Sequence, residues 1–489
     1  MKKVILILLI ILLALQLSSC EKIEEKNEDI SPKNSITYGV SEIPDKLNTC
    51  ETSISRQVMG AVFEGLVYKN SEREIVPLLC ESYSTDKSEL EYTFKIRRNI
   101  YWSNGEKVTS GDFVDFFKEY IDNCKNQDDI NELLSIYGVK EYYSRKTEFQ
   151  KTAAISSDGE YLKIRLNCKD PNFLSNLAQA KFSLRKEFTK LRNYKKNYKD
   201  LIYSGEYRIA DVQDNSITLE KNRYYYNEEK GVEKIILSLQ DNNEYALAGF
   251  ETNKIDIMED PPINYLEKLR SRQELVEYPY NKIKLIAFNS QEKNPFSDIQ
   301  LRKDLYNYIQ GLISDSEFKS KIAGTQISSF ADINNNDFEK SRSIPESSLM
   351  ALKSMTFLAE DNDINRELLK YLTEESMKDN LIIYYKLLQP ENLTNEIKEG
   401  NYSVYLGDYN ENNKVFSSVL QEATGKFGKT EDGLSGIETL NELSKSFYVV
   451  PLFKNNKMIV KKAYIEGVVT DFYGDIILSN LKISETESA

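Results

Sequence analysis

The sequence predicts an α/β fold built from two or three lobes, and two observations support this prediction. The chain has 489 residues, which is more than a single hydrophobic core usually serves. Segments with the two-residue period of half-buried strands also alternate with segments of helical period, which is typical of βαβ units. The clearest run comprises strand 355–359, helix 364–377, strand 381–386, helix 390–399 and strand 402–406.

Similar strands, helices and turns are predicted in the rest of the chain. Asn104-Gly105 is typical of a tight turn, and Thr109 stands three residues before Asp112, as at the start of a capped helix. Pro261-Pro262 is the strongest break in the pattern. The other predicted elements are strands 36–40, 92–96, 156–167 (a hairpin), 207–211, 216–220, 233–240, 255–257, 283–289, 448–453, 458–462 and 476–483, and helices 54–66, 243–253 and 299–309.

The N-terminus has the pattern of an export signal. Lys2 and Lys3 precede an apolar run over 4–17 that is too short to span a membrane as a helix. The following Leu17-Ser18-Ser19-Cys20 resembles the lipobox of bacterial lipoproteins, in which the cysteine is acylated. We therefore predict a signal peptide over 1–19, lipidation of Cys20 and a polar tether over 20–35. The alternative is an ordinary signal peptide with a chance cysteine.

Composition narrows the possible partners. Without residues 1–19 the chain has 62 basic and 77 acidic residues, a formal net charge of −15. Such a balance argues against binding of nucleic acid or of an anionic lipid surface. Four further cysteines, which an exported protein could oxidise in three alternative pairings, do not have CxxC spacing. They are Cys50, Cys80, Cys124 and Cys168.

The chain contains no histidine, which removes the commonest general base and the commonest transition-metal ligand. It also has no G-x-S-x-G and no phosphate-binding G-x-x-x-x-G-K-[ST] motif. We therefore predict a protein that is not an enzyme and that has no cofactor and no metal site. A secreted hydrolase and a nickel-binding protein are the alternatives that the missing histidines disfavour.

Ten sequence blocks resemble, in the same order, those of extracytoplasmic solute-binding proteins of the peptide/nickel ABC-importer family. The stretch Trp102–Phe113 matches the family almost position for position, and the blocks span nearly the whole mature chain. They are Ile43–Thr49, Val62–Leu66, Val76–Tyr83, Tyr92–Arg97, Trp102–Phe113, Ser204–Tyr207, Leu219–Tyr225, Ala246–Asp256, Phe288–Phe296 and Arg302–Ile309.

The resemblance implies a three-lobed periplasmic-binding-protein-like fold of type II, the large peptide-binding class, with mixed sheets and a hinged cleft between lobes. Lobe I would comprise 36–55, 200–262 and 452–489. Lobe II would be an insert over 56–199, and lobe III would run over 263–451. Closure of the hinge would bury a ligand between lobes I and III.

The resemblance also implies ligand-binding residues. In oligopeptide-binding relatives a carboxylate after a strand fixes the ligand amine, and Leu406-Gly407-Asp408-Tyr409 occupies the corresponding place. Asp408 would be the amine anchor with Tyr409 beside it, and the alternative is a loop-capping aspartate. Glu42 and Ile43 lie where the first lobe would meet the ligand backbone. Tyr464 and Ile465 lie near the position of a cleft-wall tryptophan.

The resulting functional prediction is a monomeric, lipid-anchored receptor on the outer face of the cytoplasmic membrane of a Gram-positive-type cell. It would capture peptides and deliver them to the transmembrane subunits of an ABC permease. The alternative from the same binding module is a peptide- or pheromone-sensing lipoprotein without a transport role.

Overall fold

The computed structural model describes residues 34–484 with internal gaps. Cys20 and most of the predicted tether lie outside the described residues. The first strand among the described residues begins at Ser35, one residue before the predicted start. The gaps are residues 71, 73, 126, 145–146, 228–230, 290–293, 315–323, 327–346, 353, 410–435 and 472.

The described part of the chain contains nineteen strands. They are β1 (Ser35–Val40), β2 (Val67–Lys69), β3 (Ile75–Pro77), β4 (Cys80–Thr85), β5 (Glu91–Ile96), β6 (Ile155–Asp158), β7 (Tyr161–Arg165), β8 (Tyr207–Gln213), β9 (Ser216–Lys221), β10 (Lys234–Leu239), β11 (Ile257–Glu259), β12 (Leu275–Phe288), β13 (Gly324–Gln326), β14 (Ser354–Glu360), β15 (Ile382–Leu388), β16 (Val404–Tyr409), β17 (Val449–Lys461), β18 (Ile465–Glu466) and β19 (Lys482–Ile483).

The same residues contain fourteen α-helices, and none of these is long and apolar enough to cross a membrane. They are α1 (Ser53–Val62), α2 (Ser110–Asn123), α3 (Val139–Tyr143), α4 (Phe149–Thr152), α5 (Phe173–Leu177), α6 (Phe188–Arg192), α7 (Tyr194–Asn197), α8 (Asn243–Glu251), α9 (Leu266–Ser271), α10 (Ile299–Ile313), α11 (Ser347–Met350), α12 (Asp363–Lys378), α13 (Pro390–Glu399) and α14 (Gly436–Lys445).

A mixed sheet of eleven strands connects the predicted lobes I and III. Its strands lie in the order β15-β14-β16-β12-β17-β11-β1-β10-β9-β8, and β13 also pairs with β17. Strand β1 is parallel to β10 and β11, and β14 is parallel to β15 and β16. We call β11, β1, β10, β9 and β8 the lobe I half of the sheet, and β15, β14 and β16 its lobe III half. The predicted α/β class with mixed sheets is confirmed.

Strands β12 and β17 pass side by side from one half of the sheet to the other. Residues 275–279 of β12 pair with residues 460–456 of β17, which also pairs with β11 of the lobe I half. From Ile283 onward β12 pairs with both β17 and β16. The register shifts between Pro279 and Ile283, where proline cannot donate to the ladder. We call residues 279–283 and the β17 residues opposite them the crossing.

Separate hydrophobic cores lie along this frame. One core uses residues between Leu66 and Phe188, within the predicted range of lobe II, and packs α2 on the four-stranded sheet β4-β5-β7-β6. A second core lies between α1 and the strands of the lobe I half. In the lobe III half, α10 and α12 cover one face of the sheet and α13 and α14 contribute to the core on the other. The division into three lobes stays a prediction.

Local signals explain many element boundaries. The predicted Asn104-Gly105 turn is present, with Gly105 at φ +88°. The predicted capped helix start is also present, because the Asp112 carboxylate accepts hydrogen bonds from the Thr109 backbone N–H and hydroxyl, both at 2.7 Å. Helix α1 ends at Val62, short of the predicted Leu66, and Val62 O accepts a hydrogen bond from Gly205 N at 3.0 Å.

Pairing between strands that are distant in the sequence makes other elements differ from their predicted bounds. The strands predicted at 448–453 and 458–462 are one strand, β17, because β12 pairs with it on both sides of Asn455-Asn456. Strand β12 begins at Leu275, eight residues before the predicted start. The strand predicted over 476–483 is wrong for most of its length, since a 3₁₀ turn occupies Leu478–Asn480 and only Lys482–Ile483 pair as a strand.

The capping of α2 gives a testable prediction. Replacing Asp112 with alanine removes the acceptor of both Thr109 bonds and the 2.5 Å ion pair with Lys186. We expect the free energy of unfolding to fall by about 1–2 kcal/mol in urea titrations. Asp115→Ala, at an exposed position of the same helix, is the control and should change the stability by less than about 0.5 kcal/mol. Equal effects of the two substitutions would contradict the capping role.

Candidate ligand-binding site

Strand β16 places Asp408 next to the crossing. Asp408 pairs in register with Lys284 of β12. Lys284 directly follows residues 279–283, where the pairing of β12 with β17 is irregular. The preceding Gly407 leaves space for the Tyr405 ring, because a Cβ at Gly407 would come within 2.4 Å of that ring. Asp408 itself is 8% exposed. The predicted carboxylate therefore lies almost buried where the two halves of the sheet meet.

Two lysines hold the Asp408 carboxylate. Lys284 Nζ lies 2.7 Å from Oδ1, and Lys282 Nζ lies 3.3 Å from Oδ2. Lys284 is fully buried, whereas the Lys282 side chain is 31% exposed. Burying a charge is unfavourable unless it is paired, so Lys284 depends on Asp408 for its stability in the fold. We call Lys282, Lys284 and Asp408 the lysine–aspartate triad.

Burial and charge act against each other in this triad. Burial opposes ionisation of Asp408, but the ammonium groups of Lys282 and Lys284 outweigh it and hold the pKa of the carboxyl below its usual range. Burial lowers the pKa of Lys284, and the attraction of Asp408 acts in the opposite direction. Burial also raises the pKa of the nearby Glu360 carboxyl. Asp408 is therefore the more firmly ionised of the two acids.

Helix α12 begins beside the triad. Lys284 Nζ donates a hydrogen bond to Asn365 Oδ1 at 2.7 Å, and Asn365 Nδ2 donates to the Glu360 carbonyl at 2.8 Å. Asn362 caps the helix by accepting from Asn365 N at 3.0 Å. The N-terminus of a 16-residue helix carries a partial positive charge. This end of the sheet therefore combines two lysines with a positive helix end.

Asn455 is a second polar group at the crossing. It is 3% exposed, and neither the oxygen nor the nitrogen of its carboxamide has a hydrogen-bond partner among the described residues. Phe453, two residues before it, pairs in register with Lys284. Because alternate residues of a strand share one face, Asn455 lies on the same face of the sheet as Lys284 and Asp408. A carboxamide can donate to and accept from a peptide group.

The other predicted ligand-binding residues outside β16 lie around the hydrophobic core of the lobe I half of the sheet. The buried Oε1 of Glu42 has no hydrogen-bond partner among the described residues, and Ile43 packs partly buried against the core. Tyr464 donates a hydrogen bond to Asp256 Oδ1 at 2.5 Å. Ile465 is fully buried in the core and pairs with Ile483. Of these four side chains, Ile465 is therefore the least accessible to a ligand.

Tyr409 follows Asp408 on β16 but packs in the core on the opposite face, with Tyr405 and Leu285. The ligand-binding roles of all six predicted residues stay predictions.

Sequence reasoning missed Lys282, Lys284 and Asn455. A usable signal was present for Lys284, because a lysine inside the otherwise apolar run 283–288 is unusual for a buried strand.

Comparison with known proteins identifies the family. Residues 74–306 match bacterial extracellular solute-binding proteins, family 5, over the middle part of that family. The matched residues are just under half of the 489-residue chain. The family that the sequence blocks predicted is thus confirmed, and its members are described as extracellular binding proteins.

Several curated proteins that are similar to this chain are named as peptide-binding proteins. The oligopeptide-binding protein OppA of Bacillus subtilis is 27% identical over 292 residues, which are 58% of this chain and 53% of OppA. The chain spans about half or less of the length of the curated relatives it matches.

Solved structures show the same fold over nearly the whole chain. The periplasmic oligopeptide-binding protein OppAIV of Borrelia burgdorferi superposes with a TM-score of 0.67 at 16% identity, covering 92% of this chain and all of that one. The pheromone receptor PrgZ superposes with a TM-score of 0.66 at 17% identity, covering 93% of this chain and all of that one. The predicted fold class is therefore confirmed.

The solute-binding protein also has a cavity away from the crossing, with a volume of about 170 Å³, between α1 and the segment after β18. Asp475 accepts from Arg56 Nε at 2.5 Å, and Glu64 accepts from Tyr225 at 2.6 Å. Within the described residues, no cluster of acids and cysteines could hold a metal ion.

Asp471, which lines the cavity, accepts from the backbone N–H groups of Tyr473 and Asp475. Burial and the Asp475 charge raise the pKa of Asp471 to about 7.

This raised pKa predicts a pH-dependent stability. Between the usual aspartate pKa and about 7, the folded protein binds more protons at Asp471 than the unfolded chain, so stability falls as the pH rises through this range. Asp471→Asn keeps the acceptor oxygen without the charge. We expect the variant to be more stable than the wild type by about 1–4 kcal/mol at pH 8 and nearly equal to it at pH 4.

Chemical unfolding at the two pH values checks this expectation. Asp214→Asn, at an exposed hairpin position, is the control and should change the stability little at either pH. A stability difference for Asp471→Asn that is the same at pH 4 and pH 8 would show that folding does not raise the pKa of Asp471.

Proposed function

We propose that this protein is a lipid-anchored extracellular receptor that captures peptides between lobes I and III and delivers them to an ABC permease. The match to the solute-binding family and the fold shared with peptide-binding proteins support peptide capture. The long shared strands β12 and β17, with a register shift between the two halves of the sheet, suit closure by a hinge.

The observation that carries this proposal is the carboxamide of Asn455. Both of its polar atoms are buried without a hydrogen-bond partner among the described residues. Leaving such groups unpaired costs about 1–3 kcal/mol, so their presence at the crossing suggests a binding function. A peptide backbone offers the matching acceptor and donor whatever its side chains are, which a receptor for many peptides requires.

Replacing Asn455 with leucine separates stability from binding. The leucine side chain has no polar atoms to leave unpaired, so the free energy of unfolding of the empty receptor should rise by about 1–3 kcal/mol. Binding of mixed tripeptides to hexapeptides should weaken by a similar amount, about 1–3 kcal/mol, because their backbone loses its partner. Thermal unfolding and calorimetric titration measure the two effects.

Asn456→Leu is the matched control. Asn456 is the next residue of β17, on the opposite face, and donates to Glu277 at 3.3 Å. Its replacement should leave peptide affinity within about threefold of the wild type. Unchanged peptide affinity in Asn455→Leu would contradict the proposed role of Asn455, whatever the stability change.

The proposed lipid anchor is tested at Cys20. One acyl chain holds a protein at a membrane only weakly, and two or more hold it firmly. We expect Cys20→Ser to abolish incorporation of labelled palmitate and to release the protein from the membrane fraction into the medium. Cys168→Ser, which replaces an exposed free thiol, is the control and should stay at the membrane. Retention of Cys20→Ser at the membrane with its label would exclude Cys20 as the acylated residue.

A further inference from the structure

The cavity of about 170 Å³ lies where the segment after β18 meets α1 and residues of the predicted lobe II. Lys284, Asp408 and Asn455 do not line it, so it is separate from the polar groups at the crossing. We propose that this cavity binds a small primary amine in its protonated form, with Asp471 as the residue that receives the ammonium group. Such a site goes beyond the proposed capture of peptides.

Helix α1 leaves room for the cavity at Gly60. This residue lines the cavity, and a Cβ placed on it would meet no atom within 4 Å. Glycine inside a helix is destabilising relative to alanine, and no close neighbour requires a glycine here. A larger side chain at this position would occupy part of the open space. The sequence of α1 thus keeps the cavity open at a cost in helix stability.

Two hydrogen-bond acceptors in the lining are available to a ligand. Gln57 is 4% exposed, and its Nε2 donates to Ser53 and Glu259 at 3.1 Å each. Its Oε1 is buried and has no hydrogen-bond partner among the described residues. Asp471 accepts from two backbone N–H groups at 2.8 and 2.9 Å, and both bonds fall on Oδ1. A ligand with several N–H donors matches these acceptors.

The other charged groups of the lining are already engaged. Arg56 donates two hydrogen bonds to Asp475, at 2.5 and 3.0 Å. Glu64 accepts one from a tyrosine hydroxyl at 2.6 Å, and Lys69 and Glu206 also have interaction partners. These groups are therefore less available to a ligand than Asp471.

The charge of the lining favours a cation. Four carboxylates and two cations line the cavity, which are Glu64, Glu206, Asp471 and Asp475 against Arg56 and Lys69. The partners of the Asp471 carboxylate among the described residues are backbone N–H groups only. Burial and the Asp475 charge raise the pKa of Asp471 to about 7. A ligand ammonium would offset both effects.

The aromatic part of the lining indicates the size and type of the ligand. Four tyrosines line the cavity, which are Tyr68, Tyr225, Tyr226 and Tyr473. The faces of such rings attract ammonium groups. An apolar cavity of about 150 Å³ can hold benzene, so the present cavity suits an amine of about that size.

Paired probes of matched size test the inference. Benzylamine is a cation near neutral pH, and benzyl alcohol is its uncharged counterpart; n-butylamine and 1-butanol form a slimmer pair. Calorimetric titration of the full-length protein measures the affinity for each compound. We expect at least one amine to bind at least about tenfold more tightly than its alcohol, as a charged hydrogen bond would provide.

Variants assign the preference to residues. Asp471→Asn removes the charge at nearly constant shape, and its preference for the amine should fall below about threefold. Asp214→Asn, at an exposed hairpin position, is the control and should keep the wild-type preference.

Gly60→Leu tests the location of the site. Leucine favours a helix more than glycine does, so this variant should fold, and its side chain should fill the cavity. We expect it to lose binding of the amines while its affinity for mixed short peptides stays within about threefold of the wild type.

The remaining outcomes overturn the inference in distinct ways. Failure of both amines to bind, or equal affinity for amine and alcohol, would exclude a cation site. A preference that persists in Asp471→Asn would remove Asp471 from the site, and amine binding that persists in Gly60→Leu would place the amine elsewhere. A protein that binds no peptide but shows the expected amine preference would reject the proposed function and leave this inference standing.

Discussion

Strands β12 and β17 lie side by side through both halves of the large sheet, and the rest of the molecule is placed relative to this pair. Their ladder links the lobe I half to the lobe III half by backbone hydrogen bonds, so the halves cannot separate without breaking it. The ladder is irregular between Pro279 and Ile283 and again between Lys284 and Leu285. The crossing is therefore where the proposed hinge would lie.

Polar groups lie at this same place. The triad of Lys282, Lys284 and Asp408 begins one residue away, and Asn455 lies on the same face. Elsewhere these faces pack as hydrophobic cores, in which an unpaired polar group is unfavourable. Lys284, Asp408 and Asn455 are thus buried polar side chains at the place where the proposed hinge and ligand would meet. Under the proposed function, the stability of the empty protein and its binding of peptides would depend on the same side chains.

Elements with local signals could be predicted from the sequence. Helix α13 has the predicted bounds 390–399, because proline starts it and Gly400, at φ +72°, ends it. The Asn-Gly turn and the capped start of α2 are also determined by neighbouring residues. Each of these signals acts within a few residues, so the sequence pattern contains all that is needed to recognise it.

Features that depend on distant pairing could not be predicted in the same way. Asn455-Asn456 has the composition of a turn, yet the ladder with β12 keeps it within one strand. Asp408 was identified through its family block, but its partners Lys282 and Lys284 become neighbours only when β12 pairs with β16. The charge around Asp408, and hence the kind of ligand group that suits it, depends on that pairing.

The central claim is that the receptor binds peptides between the two halves of the sheet. Native mass spectrometry of the full-length protein, purified from its own host without added ligand, tests this claim most directly. We predict bound species that resolve, on denaturation, into a mixture of short peptides of different sequence. Recovery of a single compound that is not a peptide, or of a metal chelate, would contradict the account.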